Sequence, residues 1–241
     1  MLLAMAGRVK RAQERRRYES PHRQAKAAET RRAVLEAALD LFGRHGYAAT
    51  TVADIAASAG VAVDTVYAAV GRKPALLRAL VETAISGTDD AVPAEERDYV
   101  VLIRAADTAR EKLAIYAAAV AAIGGRMAPV HRALRQAAVT DPACAELRDQ
   151  INERRAANMR LFAADLRATG ELRSDLSDDD VADVVWSMNA AEFYDLLVVE
   201  RGWSTERFRA WLFDAWTRVF LEDPPPAPHL DPPQPRRKRK A

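Results

Sequence analysis

Three glycines, Gly46, Gly60 and Gly71, cut one stretch near the start of the chain into pieces of about two turns each. The stretch from Thr50 to Leu77 reads TTVADIAASAGVAVDTVYAAVGRKPALL. It predicts two short helices around a lone glycine, then a basic dipeptide and a further helix. Thr51 with Asp54 forms a capping-box pattern at the first helix. Val52, Ile55, Ala56 and Ala59 share its buried side. Gly60 makes the turn, Val61 follows as an apolar plug, and VDTVYAAV forms the next helix. Gly71 ends that helix, and Pro74 suits the first turn of the one after it. Upstream, TRRAVLEAALDLFGRHG sets Val34, Ala37, Ala38, Leu41 and Phe42 at helical spacing, and Gly46 can take the left-handed conformation that ends the helix. A helix, a glycine turn and a second short helix, braced by a preceding helix, form a helix-turn-helix unit. The major groove of DNA admits one such helix while its neighbour crosses the backbone.

The rest of the chain also reads as helix. The expected segments are 95–105, 107–123, 128–138, 143–168, 178–200 and 204–221. No alternating run argues for a strand, and no internal repeat is present. The expectation is therefore an all-α chain: a three-helix DNA-binding domain over 27–85 joined to a larger helical-bundle domain over 86–223. Residues 1–26 are highly charged without an apolar period, which predicts a disordered basic arm. Residues 224–241 are Pro-rich and then basic, which predicts a mobile tail.

Charge is segregated along the sequence. The net charge is +2, but residues 1–32 carry +7, residues 224–241 carry +4 and the middle carries −9. A basic arm beside a small helical unit is the electrostatic footprint of a nucleic-acid binder. The single cysteine, Cys144, excludes an internal disulfide framework and a multi-cysteine zinc site. The longest apolar run, LAIYAAAVAAI at 113–123, is too short to span a bilayer, and the N-terminus lacks the order of a secretory signal. The expectation is a cytoplasmic protein with no membrane partner.

Residues 30–85 resemble the DNA-binding domain of the TetR family of bacterial transcriptional repressors. Phe42, Gly46, Thr50, Thr51, Ile55, Ala56, Ala59, Gly60, Val61, Tyr67 and Lys73 carry the resemblance, which covers about a quarter of the chain. It implies that Thr51 and Tyr67 hydrogen-bond phosphates, that Lys73 pairs with a phosphate, and that Ala62, Val63, Asp64, Thr65 and Ala68 face the groove. Hydroxyls and a lysine in such places fix register without reading sequence. Ala62 and Asp64 depart from the family's common polar and small residues, and Ala68-Ala69-Val70 from its polar or aromatic ones. The groove helix therefore has no Arg, Lys, Asn or Gln to pair with a base edge. Asp64 either accepts a bond from a cytosine amino group or stabilises the helix N-terminus. Val63 and Ala68 suit thymine methyls. Arg31 and Arg32, at the end of the basic arm, suit backbone or minor-groove contacts. Modest direct readout and strong salt dependence are expected.

The resemblance further implies a palindromic operator in double-stranded DNA, a homodimer and a small-molecule effector that releases the DNA. Pocket candidates are Tyr116, Met127, His131, Met159 and Phe162, with Trp186, Met188 and Asn189 on a later helix. Arg155 interrupts the apolar stripe Ile151, Met159, Phe162; it either binds an acidic ligand or pairs with Glu192 or Asp195. The last two helices carry a wider apolar surface than one core contact needs. Phe193, Leu197, Phe208, Trp211, Leu212, Ala215, Trp216 and Val219 are the dimer candidates.

No phosphate loop, nucleophile elbow or zinc helix is present, so no catalytic residue, cofactor or metal is expected. A di-iron bundle needs Glu-x-x-His on two helices, and Glu19–His22 in the basic arm is the one instance. A competing reading is an architectural protein that binds DNA through its basic ends without sequence choice. An uncharacterised helical enzyme is a third.

Overall fold

The computed structural model describes residues 2–89 and 91–222, with side chains from residue 23 onward. Within them the fold is all-α. The helices are α1 (Leu2–His45), α2 (Val52–Ala59), α3 (Val63–Ala69), α4 (Lys73–Ser86), α5 (Asp98–Ala105), α6 (Ala109–Thr140), α7 (Pro142–Arg167), α8 (Asp178–Met188), α9 (Ala191–Tyr194) and α10 (Thr205–Phe220). One isolated antiparallel bridge joins Leu172 to Leu221. The chain divides into two compact units, Met1–Ala79 and Leu80–Ala241, with the boundary inside α4. The expected tail at 224–241 and the side chains of Glu19 and His22 lie outside the described residues.

In the first unit, α1 continues back through most of the arm expected to be disordered. The Arg, Gln, Glu and Lys that make residues 2–26 polar, and the alanines among them, are good helix formers, so the backbone follows propensity where the charge pattern predicts disorder. The core gathers Val34, Ala38 and Phe42 of α1, Ile55 of α2, Val66 of α3 and Leu76 and Leu77 of α4, all fully buried. Tyr47 packs its ring 5.3 Å from that of Phe42. The Thr51 hydroxyl accepts from the Asp54 amide while the Asp54 carboxylate accepts from the Thr51 amide, a complete capping box. The Thr51 hydroxyl also donates to that carboxylate at 2.7 Å, and this bond, with the weaker help of the Thr51 amide, holds the Asp54 carboxyl below its ordinary range. Gly60 takes φ 68°, with Val61 N–H donating to the Ala56 carbonyl, so α2 ends in a left-handed turn that only glycine enters at low cost.

The second unit is a bundle around α6. The sequence expects two helices broken at Gly124-Gly125; the structure has one, Ala109–Thr140, continuing through both glycines and Pro129. Gly124 serves a close approach instead. A Cβ there would lie 2.3 Å from Cδ2 of Tyr194. By length and apolarity α6 qualifies to cross a membrane, but it spends those apolar residues on the bundle core, with Leu113, Ala117 and Ala137 fully buried. The expected helix 178–200 is also divided. It stops at Asn189, restarts as α9, and runs on as a π-helical turn over Asp195–Glu200. Phe208, Leu212 and Trp216 of α10 complete the core with Val181 and Val185 of α8 and Leu166 of α7. Lys112 is buried among them. Its ammonium donates to the Ile103 carbonyl at 2.7 Å and to Asp165 at 3.1 Å, which fastens α5 to α6 and α7.

Candidate nucleic-acid interface and ligand cavity

The first unit presents α3 outward. The chain turns by 96° between α2 and α3, within the range of a helix-turn-helix. Val66 is the inward anchor. Ala62, Val63, Asp64, Tyr67 and Ala68 are all exposed, and Thr65 is half-buried. The sequence-predicted groove face is thus one contiguous exposed face. Val63 and Tyr67 stand out there as large side chains 39% and 48% exposed. Ala62 caps α3 without a side-chain bond, and Asp64 sits in the open first turn, where the dipole favours an acid. Thr51 is exposed at the start of α2.

Three predicted phosphate contacts have internal partners, the first being Thr51, whose hydroxyl donates to Asp54 Oδ2 at 2.7 Å. The Lys73 ammonium donates to the Tyr47 carbonyl at 2.6 Å and sits 4.1 Å from the Tyr47 ring centroid. It braces α4 against the corner after α1. Arg31 donates to the Ala69 carbonyl at 3.3 Å, tying α1 to the last turn of α3. Arg32 is exposed, 4.0 Å from Glu36.

The second unit encloses a cavity of about 550 Å³. Of the pocket candidates, Tyr116, Met127, His131, Arg155, Met159, Phe162 and Asn189 line it. Trp186 and Met188 do not line it. α8 stops at Asn189, so Asn189, Ala190 and Ala191 form that wall instead. Trp186 lies under the Arg155 guanidinium at 5.0 Å, and Met188 packs on the core. Sequence reasoning missed Tyr99, Ile103 and Arg104 of α5, Arg97 just before it, and Tyr194 of α9. Tyr99 and Ile103 are visible in the sequence as an i, i+4 apolar pair, but nothing there assigns the pair to a cavity.

The polar wall is a network. Asn189 donates to the Tyr116 hydroxyl at 2.7 Å and to the Met159 sulfur at 3.1 Å. The Arg155 guanidinium donates to Asn189 Oδ1, to the Trp186 carbonyl at 2.9 Å and to Asn152 Oδ1 at 3.4 Å. Burial raises the Tyr116 phenol well above its ordinary pKa. Its ring packs on Phe162 at 4.7 Å and stacks on Trp216 at 5.6 Å. Burial also lowers Arg155, against weaker support from Tyr116 and Glu192. The predicted pairing of Arg155 with Glu192 or Asp195 does not form. Glu192 faces His131 at 3.3 Å, and Asp195 pairs with Arg132. His131 Nδ1 is buried without a partner, and burial outweighs Glu192 to depress this imidazole below its ordinary pKa.

The dimer candidates separate into two groups. Phe208, Leu212 and Trp216 are fully buried within the protomer and offer no surface; packing inside the bundle claims them. Phe193, Leu197, Trp211 and Ala215 are half-buried, and Val219 is exposed. Phe193, Leu197 and Trp211 meet Leu196 and Trp203 around a shallow apolar hollow of about 240 Å³, beside exposed Val199. Among the described residues, no cluster of three or more His, Cys, Asp or Glu has the arrangement to hold a metal ion.

Comparison with known proteins agrees with this architecture. Residues 34–80 match the family model described as bacterial regulatory proteins, tetR family. No curated protein sequence matches. Among solved structures, the chain is similar to SmeT, the repressor of the Stenotrophomonas maltophilia multidrug efflux pump SmeDEF, in its triclosan complex. That match has 18% identity and TM-score 0.64, over 86% of this chain and 99% of that one. It is also similar to NalD, the secondary repressor of the MexAB-OprM multidrug efflux pump in Pseudomonas aeruginosa. There the identity is 19% and the TM-score 0.63, over 80% and 97% of the two chains. A gamma-butyrolactone receptor, an ArpA-like protein, matches at 20% identity and TM-score 0.54, over 82% and 90%. Residues 34–80 are thus similar to the tetR-family domain, and the chain around them shares the fold of these solved structures.

Proposed function

We propose that this protein is a dimeric transcriptional repressor that binds a palindromic operator through α3 and is released by a small molecule held in the cavity lined by α5, α6, α7 and α9. One observation carries the DNA half. Every residue expected to face the groove is exposed or half-exposed on α3, while the single inward residue, Val66, locks that helix to its core. Thr51 and the Tyr67 hydroxyl serve as neutral phosphate contacts. Lys73 braces the corner beside α2 and adds positive charge at that edge. Val63 and Ala68 offer apolar contact to thymine methyls, and Asp64 strengthens the helix start.

The effector half rests on the cavity, whose size suits a drug-sized ligand. α4 links the two functions in the chain: it starts at Lys73 in the first unit, and its Ile85 lies on the cavity wall in the second. The SmeT structure contains triclosan, which supports reading this cavity as an effector site. A second copy of the chain covers the apolar patch of exposed Leu196 and Val199 with half-buried Trp203.

The test is selection of bound sequences from a random DNA pool at near-physiological salt. The expected result is a palindrome with half-sites about one helical turn apart. The absence of arginine, lysine, asparagine and glutamine on α3 keeps a second reading open, an architectural DNA binder. No enrichment, with binding that vanishes as salt rises, is the outcome that selects it.

A further inference from the structure

We infer that the cavity takes a small organic carboxylate with an aromatic body, its carboxylate held by the Arg155 guanidinium. The inference rests on the reading of this cavity as an effector site and names the chemical class of the effector.

The first observation is the state of Arg155. It is largely buried, and every acceptor it meets is neutral: the Asn189 and Asn152 side-chain oxygens and the Trp186 carbonyl. Neither acid expected to pair with it does so directly: Asp195 pairs with Arg132, and Glu192 lies beside His131 and supports Arg155 only weakly. A largely buried cation without a direct ion pair is costly. Three of its five N–H donors have acceptors, and an anion entering the cavity supplies the missing charge. The Trp186 face beneath the guanidinium fixes its plane, and because both Nη2 hydrogens already have acceptors, a carboxylate meets it through single charge-assisted bonds from Nε or Nη1.

The second observation is the charge of the whole wall. Arg97, Arg104, Arg154 and Arg155 line it against two acids, Glu95 and Asp165. Asp165 is already neutralised by Lys112 at 3.1 Å, and Glu95 is exposed. Arg154 faces Glu82 at 3.9 Å. The cavity is therefore cationic, and Arg155 is the arginine on its wall whose charge burial disfavours; half-buried Arg97, with the Val92 carbonyl as its acceptor, is a second cation there. A carboxylate on Arg155 answers the costlier of the two charges. The third observation is the body of the cavity. Tyr116, Phe162 and Tyr99 form an aromatic wall, with the rings of Tyr116 and Phe162 4.7 Å apart. Flat apolar ligands stack on such a wall. His131, on the same cavity, offers a buried Nδ1 with no partner to a second polar group of the ligand.

The experiment uses the full chain without DNA, so its result is separate from the operator test. Biphenyl-4-carboxylate, biphenyl-4-carboxamide and biphenyl-4-ylmethylammonium share one body and differ in charge. Calorimetry should rank the carboxylate about tenfold or more above the carboxamide, with the ammonium weakest, and the preference should survive 0.5 M salt because the contact is buried. Arg155→Gln should weaken the carboxylate about tenfold to a hundredfold, the range of a charge-assisted hydrogen bond, and leave the carboxamide within about twofold. Arg155→Lys should restore part of the preference, which guards against a merely misfolded glutamine variant. Equal binding of carboxylate and carboxamide, tighter binding of the ammonium, no binding of the carboxylate, or a preference that survives Arg155→Gln each overturns the inference. If the carboxylate binds as described but leaves operator affinity unchanged, the ligand class stands and the regulatory reading falls.

Discussion

Gly124→Ala tests how the bundle is closed. In a solvent-facing helix this change gains up to about 1 kcal/mol of helix propensity. Here the new Cβ would stand 2.3 Å from Cδ2 and 2.7 Å from Cγ of Tyr194, where ordinary contact begins at 3.4 Å. The ring must retreat by about 1 Å. It has little room to do so, because Tyr194 packs edge-on against fully buried Phe208 at 5.3 Å and its hydroxyl meets Thr205 at 3.3 Å. Overpacking of this kind costs about 1–3 kcal/mol, so the net expectation is a loss of about 1–2 kcal/mol. All four tryptophans lie in the second unit, at 186, 203, 211 and 216. Tryptophan fluorescence in a urea titration therefore follows that unit alone. The control is the same change in a Tyr194→Ala background. With the ring gone, the propensity term alone remains and Gly124→Ala should stabilise by up to about 1 kcal/mol. A loss of equal size in both backgrounds would refute the claim that Tyr194 is what Gly124 accommodates.

Four other outcomes follow from the same geometry. Lys112→Met strips the Ile103 carbonyl of its donor and leaves Asp165 unpaired; since Asp165 is partly exposed, the loss should be about 2–3 kcal/mol by the same titration. Tyr67→Phe should weaken binding to all DNA sequences by a similar factor without changing the salt slope, whereas Val63→Ala or Asp64→Ala should change the selected motif; an unchanged motif would displace α3 from the groove. Leu196→Asp with Val199→Asp should convert the dimer to a monomer in sedimentation, and an unaltered dimer would move the interface to another face. His131 has a depressed pKa in the folded state, so its contribution is complete above its unfolded value of 6.5 and is lost as pH falls toward the folded value. His131→Asn should flatten that part of the thermal midpoint between about pH 7 and 5; a wild-type midpoint that rises on acidification would mean that the Glu192 ion pair outweighs burial.

The first unit was legible because its signals are local. A capping threonine, a left-handed glycine and apolar residues at helical spacing act within a few residues of one another. α2 and α3 follow from these alone, as does the exposed face of α3. The second unit depends on contacts distant in sequence. Gly124-Gly125 reads as a break by any local rule. It is continuous helix because Tyr194, seventy residues later, needs the space a side chain would occupy. The division at Asn189 runs the other way. VVWSMNAAEFYDLL has no glycine or proline. The chain nevertheless turns there, where the Asn189 amide is held between the Tyr116 hydroxyl and the Arg155 guanidinium.

The same distinction separates what was readable in the cavity from what was not. Periodicity puts Arg155 on the apolar stripe of α7, and in the structure it shares the cavity wall with Met159 and Phe162. Its counter-charge was misassigned because acids on another helix are equivalent in sequence until rotation about that helix is known. The restart at α9 and the π-helical turn after it set that rotation, directing Glu192 to His131 and Asp195 to Arg132. The break at Asn189 therefore does two things. It supplies neutral acceptors to the arginine, and by resetting the helix that follows it leaves that arginine without a direct ion pair. A cation built into an apolar wall by one helix and left unpaired by the geometry of another is a feature of the fold, and a ligand that brings its own negative charge completes it.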